Sequence, residues 1–142
     1  MKIMVSACLL GQKCKYNGGD NYSDKAVEFI KGHEVIPVCP EIEGGLPTPR
    51  ASCEIVNGII TDKDGVSRDR EFRKGAEVCL QKAMDEKVEL AILQSRSPSC
   101  GVKHIYDGSF TGKLIEGKGV FAELLSDHGI KTMDVEELEE GD

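Results

Sequence analysis

The chain predicts an α/β protein, with a mostly parallel sheet covered by helices on both faces. Three observations carry this. Strand-like and helix-like stretches alternate from one end to the other. The main strand-like stretches, KIMVS, VIPV and LAIL, are short apolar runs bounded by loops, as suits strands buried on both faces. At 142 residues and 39% hydrophobic content, the chain can close one core without disulfides, so residues 1–142 read as a single domain.

The elements follow in order. Residues 2–6 form the first strand, and a Gly-rich loop runs on to Asp20. Ser23 caps a helix over 24–31, which Gly32 stops. Residues 35–38 make the second strand, followed by the loop CPEIEGGLPTPRASCE, whose prolines and glycines argue against regular structure. Long ordered loops in compact domains tend to carry function. Asn57-Gly58, between residues 54–56 and 59–61, is a strong hairpin signal. From Ser67, read as an N-cap, the pattern is helical to about Lys87, with Phe72, Ala76, Cys79, Leu80 and Ala83 on one face.

Residues 90–93 are the third buried strand and deliver the loop QSRSPSCG. Ile105-Tyr106 and then Asp107-Gly108 mark a further turn; a helix is expected over 119–127 and a last strand over 130–133. The tail VEELEEGD reads as a solvated, frayed acidic end.

A net charge of −7 argues against a broad basic face for nucleic-acid backbones, while leaving a nucleotide or another small molecule as ligand. The apolar start MKIMVSACLL is too short and too soon interrupted for a signal peptide, and no stretch approaches a membrane span. The expected compartment is the cytoplasm, where the six cysteines meet a reducing pool and are candidates for metal ligands or chemistry.

Cys8 follows the first strand, Cys39 the second, and Cys100 lies in the loop after the third. Parallel strands bring all three loops to one edge of the sheet, the edge where ligands of α/β proteins collect. Three thiolates select zinc, copper(I) or an iron-sulfur cluster over hard cations, and a three-ligand set leaves a metal position open for catalysis. Cys79 lies on the apolar helix face and reads as a core residue, and Cys53 also as structural. Cys14 reads equally as a fourth ligand, a sulfur-handling thiol or a neighbour of the site. There is no CxxC pair, which weakens a zinc ribbon or thioredoxin-type site.

The segments VSACLLGQKCKYNGG, CPEIEGGLPTPR and SRSPSCG, followed by IYDGSF and GKGVFAELL, resemble the thiouracil desulfurase (desulfidase) family through nearly the whole chain. The resemblance implies a Rossmann-like three-layer α/β fold. It further implies a 4Fe-4S cluster held by Cys8, Cys39 and Cys100 with one open iron, and removal of sulfur from a thiolated uracil without net redox chemistry. It points to Glu41 and Ser99 as catalytic residues. The implied partner is a small thiolated pyrimidine, either base or nucleotide: 2- or 4-thiouracil, or 4-thiouridine monophosphate. No membrane and no large nucleic acid are implied.

In this reading Glu41 is the general base for a water attacking the ring carbon, and Ser99 orients that water or relays its proton. Each has a plainer alternative: Glu41 paired with Arg50, and Ser97 and Ser99 as turn residues beside proline. Lys13, Lys15 and Arg50 read as phosphate ligands or as solvated charges, Tyr16 as a stacking or a packing residue, and His33, His104 and His128 as surface residues. Neither a P-loop nor a GxGxxG motif occurs, although the glycines before residue 120 could present helix amides to an anion. The second functional reading is a non-catalytic metal-binding or redox-sensing module in which Cys8, Cys14, Cys39 and Cys100 close a four-thiolate site.

Overall fold

A computed structural model describes residues 1–140, with side chains through Leu138. Four strands, β1 (Lys2–Ser6), β2 (Glu34–Val38), β5 (Leu90–Leu93) and β8 (Lys131–Asp134), form one parallel sheet in the order β2-β1-β5-β8. The short apolar runs therefore became parallel strands, as expected; β1 and β5 are buried, whereas β2, at the edge of the sheet, buries only Val38. Two hairpins stand apart from this sheet: β3 (Cys53–Val56) with β4 (Ile59–Asp62), and β6 (His104–Tyr106) with β7 (Leu114–Glu116). β7 is an addition to the sequence reading, which saw only the turn that precedes it.

Helices cover both faces. On one side α3 (Asp69–Asp85) and α4 (Val120–Asp127) bury Ala76, Cys79, Phe121 and Leu125 against Met4, Ala91 and Leu93 of the sheet. On the other, α1 (Asp24–Phe29) and α5 (Val135–Glu140) bury Ala26 and Val135 against Ile3, Val5 and Ile92. Alternate residues of β1 thus face opposite cores, which is why its run tolerates almost no polar residue. Truncating a buried phenylalanine such as Phe72 or Phe121 removes a packed ring and costs roughly 3–5 kcal/mol in comparable cores.

Three expectations need correction. The proline-rich loop does hold regular structure, the short helix α2 (Pro40–Glu43), because Pro40 occupies the first helical position, where its fixed φ favours a helix and its missing N–H costs nothing. Arg68, not Ser67, is the cap residue of α3; Ser67 Oγ accepts the Asp69 amide at 3.4 Å, while Asp69 Oδ1 accepts the Ile60 amide and ties the helix start to β4. The acidic tail is helical through Glu140: Asp134 caps it by accepting the Glu136 amide at 2.9 Å, and Val135 and Leu138 turn toward the core. Residues 141–142, the end of the expected frayed tail, lie outside the described residues.

The sheet order places a topological switch between β1 and β5, since the chain leaves β1 first for β2 on one side and later for β5 on the other. Ligands of such sheets bind at the carboxyl ends of the strands beside that switch. No helix among the described residues is long and apolar enough to cross a membrane.

Candidate active site

A cavity of about 480 Å³ opens at that switch, and Cys8, Cys39 and Cys100 all line it. Cys8 sits in a 3₁₀ turn (Ala7–Leu10) directly after β1; Gly11 closes the turn in the left-handed conformation, at φ 93°. Cys39 is the extended residue between β2 and α2, its carbonyl accepting the Glu43 amide at 3.0 Å. Cys100 is buried in the loop after β5, where its amide donates to Ser97 Oγ at 3.1 Å. Cys14 lines the same cavity beside Cys8 and Cys39, and the Cys39 thiol lies 4.0 Å from the Cys14 carbonyl oxygen.

These contacts split the thiols electrostatically. Hydrogen bonding from Cys14 pulls Cys39 down to about 7, with help from the Ile42 backbone, and holds Cys8 below its ordinary value, with help from Asn21 Nδ2 at 3.5 Å from its sulfur. Cys14, beside both of these thiols, is pushed far up, and burial raises Cys100 well above the usual thiol range. Cys53 also lines the cavity, and burial pushes it up to about 12, as it does Cys79 in the core.

Glu41 and Ser99, distant in sequence, meet here. Ser99 Oγ donates to Glu41 Oε2 at 3.1 Å, lies 2.9 Å from Ser97 Oγ and is 3.6 Å from Cys100 Sγ. The other carboxylate oxygen, Glu41 Oε1, pairs with Arg50 Nη2 at 3.3 Å, with the side chains only 19% and 6% exposed. Arg50 also donates to the carbonyls of Cys14 at 2.9 Å and Pro47 at 3.2 Å and to Thr48 Oγ1 at 3.1 Å, so one guanidinium ties two stretches of loop to the carboxylate. Glu41 is thus paired with Arg50 through one oxygen, and the pairing leaves Oε2 for Ser99.

Backbone packing fixes both groups. α2 lies against α3 so closely that a Cβ on Gly75 would fall 1.7 Å from the Pro40 carbonyl oxygen, and one on Gly44 would fall 1.9 Å from that of Glu71. Ser99 is held by the start of α4, whose Phe121 and Ala122 amides donate to the Ser99 carbonyl at 2.9 and 3.1 Å, while the Val120 amide takes that of Pro98. The helix amides read from sequence as an anion site are thus already occupied by the site's own loop.

Other expected residues divide. Lys15 and Tyr16 line the cavity, Lys15 Nζ lying 5.8 Å from the tyrosine ring, whereas Lys13 is exposed and does not line it. His33, His104 and His128 are exposed, as expected. Sequence reasoning missed Asn21 and Glu54, both on the cavity wall; a lone loop asparagine and a strand glutamate carry no motif that would mark them.

Comparison with known proteins shows the family. Residues 3–137 match the 2-thiouracil desulfurase family. YbbK, an uncharacterized protein of Bacillus subtilis (strain 168), is 36% identical over 146 residues, spanning 96% of this chain and 97% of that one. A solved structure of the 4Fe-4S-dependent thiouracil desulfidase TudS is similar at a TM-score of 0.90 and 37% identity, covering 98% of this chain and 93% of that one. With the three cysteine-bearing segments in order inside the matched region and converging on one cavity, the chain belongs to the 2-thiouracil desulfurase family of enzymes.

Proposed function

We propose that this enzyme hydrolyses the carbon–sulfur bond of a thiolated pyrimidine, 2- or 4-thiouracil or 4-thiouridine monophosphate, giving hydrogen sulfide and the oxo-pyrimidine. Cys8, Cys39 and Cys100 are the ligands of a 4Fe-4S cluster in this reading. The donor set fits such a group: three soft thiols from three strand ends surround one cavity, and two of them are already biased toward thiolate. Among the described residues, no three acidic, thiol or imidazole side chains gather as a single ion needs. A single zinc ion takes every thiolate to within about 2.3 Å of one point, whereas a cluster offers each thiolate its own iron. When bound by three thiolates, the cluster supplies a soft Lewis acid at its remaining iron, suited to the exocyclic sulfur of the substrate.

The residues of the chain supply the proton chemistry. Glu41 takes a proton from the attacking water, and Ser99, hydrogen-bonded to Glu41 Oε2, orients that water or passes the proton on. The new carbon–oxygen bond replaces the carbon–sulfur bond; the proton taken by Glu41 and the second proton of the water, lost as the carbonyl forms, both end on the departing sulfur. Water and thiouracil become uracil and hydrogen sulfide, with no electron gained or lost. Arg50 holds the Glu41 carboxylate aimed through Oε1 while leaving its other oxygen to the serine. The observation that carries the reading is the Ser99–Glu41 contact beside Cys100 in the thiol-lined cavity.

A second reading, a non-catalytic module with four thiolates closing the site, draws on the contacts of Cys14 with Cys8 and Cys39. Anaerobic purification with iron and acid-labile sulfide analysis, followed by a hydrogen sulfide assay on the three thiolated substrates, separates the two. About four irons per chain, with sulfide released by the wild type and not by Glu41→Ala, is the expected result. Zinc without iron after anaerobic reconstitution, and no sulfide from any substrate, would transfer the conclusion to the second reading.

A further inference from the structure

The β6–β7 hairpin forms part of the cavity wall through Tyr106 and Gly112 and is anchored differently at its two ends. Its base is tied by backbone: Ile105 bridges to Arg96 in the loop after β5, and the Gly117 amide donates to the Lys103 carbonyl at 3.1 Å. Its tip is tied by one carboxylate. Glu54 Oε1, reaching from β3, accepts the Gly108 amide at 3.0 Å and the Phe110 amide at 3.1 Å.

The tip is pressed hard onto β3. Gly108 lies at φ 95°, and a Cβ there would fall 2.6 Å from the Ile55 carbonyl oxygen. Phe110 is also left-handed, at φ 60°, a conformation strained for any residue but glycine. The two charge-assisted bonds to Glu54 hold the strained turn in place.

We infer that Glu54 is a specificity-determining positioning residue: by clamping the hairpin tip to β3 it fixes the wall formed by Tyr106 and Gly112, and thereby limits the size of the thiolated ring admitted. The clamp is a property of the fold, and its consequence for substrate choice rests on the desulfidase reading. Glu54 touches no reacting atom in this account. Removing its carboxylate frees a wall, whereas glutamine keeps an oxygen that accepts both amides.

The test has two arms on the cluster-loaded protein. In the first, hydrogen exchange of residues 108–112 is compared among wild type, Glu54→Ala and Glu54→Gln; alanine speeds exchange at least about tenfold and glutamine stays near wild type. In the second, kcat and KM are measured for 2-thiouracil and for a two-ring thiopurine, 6-thioguanine. Alanine raises KM for 2-thiouracil about tenfold, lowers kcat less than about threefold, and shifts the kcat/KM ratio toward the thiopurine about tenfold, with glutamine restoring the ratio. Unchanged exchange in the alanine variant overturns the clamp, and faster exchange with an unchanged ratio overturns the specificity role. If the wild type desulfurates neither ring, the desulfidase reading fails; size selection is then read from equilibrium binding of uracil against xanthine, and an unchanged preference, or no binding of either, overturns the inference.

Discussion

Ser99 Oγ donates to Glu41 Oε2 at 3.1 Å, joining the loop after β5 to the helix that follows β2. Ser97 Oγ lies 2.9 Å from the same hydroxyl and accepts the amides of Ser99 and Cys100, both at 3.1 Å. A hydroxyl that passes protons and one that shapes a turn respond differently to truncation. Ser99→Ala is expected to lower kcat roughly 10²-fold with iron content unchanged, in line with the loss of a positioned proton-transfer group. Ser97→Ala is expected to impair cluster retention as well, since two amides of the ligand loop lose their acceptor. Iron analysis and initial rates on both variants check this; equal loss of iron in the two would reduce Ser99 to a loop anchor.

The cysteines give the second prediction. Serine substitution at Cys8, Cys39 or Cys100 is expected to abolish the iron-sulfur absorbance, because each removes a soft ligand that no neighbour replaces. Cys14→Ser is expected to keep the cluster, since the Cys14 thiol is pushed up, away from thiolate, while its neighbours Cys8 and Cys39 are drawn down. Iron per chain after anaerobic reconstitution is the readout, and loss of metal in the Cys14 variant would favour the closed four-thiolate module.

Arg50 and Glu41 form a buried pair, and breaking such a pair from one side strands a charge. Arg50→Met is expected to destabilise the fold by roughly 3–5 kcal/mol. Combining it with Glu41→Gln removes the stranded charge, so the double variant is expected to recover part of that loss while remaining inactive. Urea midpoints for the wild type, both single variants and the double variant measure the coupling. Strictly additive losses would mean that the two side chains share no energy.

Acid sensitivity is expected at Asp62, the last residue of β4. Its carboxylate accepts the Val66 and Asp64 amides, each at 2.9 Å, and pairs with Arg68 at 3.3 Å; these partners, the Val66 amide first, hold it below the ordinary carboxylate range. Such stabilisation is fully present above the unfolded-state value of about 3.9 and is lost as pH falls through the lower folded value. Asp62→Ala should therefore be less stable than wild type at pH 7, with the gap narrowing below pH ~4. Thermal unfolding across pH follows the gap, and a difference that stays constant through the acid limb would assign the effect to packing instead.

The sheet was legible because its first three strands carry apolar runs between loops, and the thiol site was legible because parallel topology carries strand ends to one edge. What escaped was decided in three dimensions. Nothing local marks Glu54 as the acceptor for amides far along the chain, and Arg50 looks like any loop arginine until its six per cent exposure is seen. The tail misled because its charges dominate its composition while two apolar residues, Val135 and Leu138, decide its docking. Helix α2 was hidden by the prolines around it, although one of them starts it.

Gly75 supplies a prediction that sequence alone would reverse. It lies inside α3, where exchange for alanine ordinarily stabilises a helix by about 1 kcal/mol. Here the added methyl group would fall 1.7 Å from the Pro40 carbonyl oxygen and 2.9 Å from the Gly44 amide nitrogen, both backbone atoms of the segment that carries Cys39 and Glu41. Neither can yield without moving α2 as a unit. Overpacking of this kind costs typically 1–3 kcal/mol and outweighs the gain in propensity. Gly75→Ala is therefore expected to lower the unfolding midpoint, and also to reduce kcat and cluster retention together, because pushing α2 outward shifts a ligand and the base at once. Gly129→Ala, a left-handed glycine with open space about its missing Cβ, strains the backbone without touching the site, and so should lower stability while leaving iron content at the wild-type level. If the two variants lose stability equally and keep equal amounts of iron, the α2–α3 contact does not position the site.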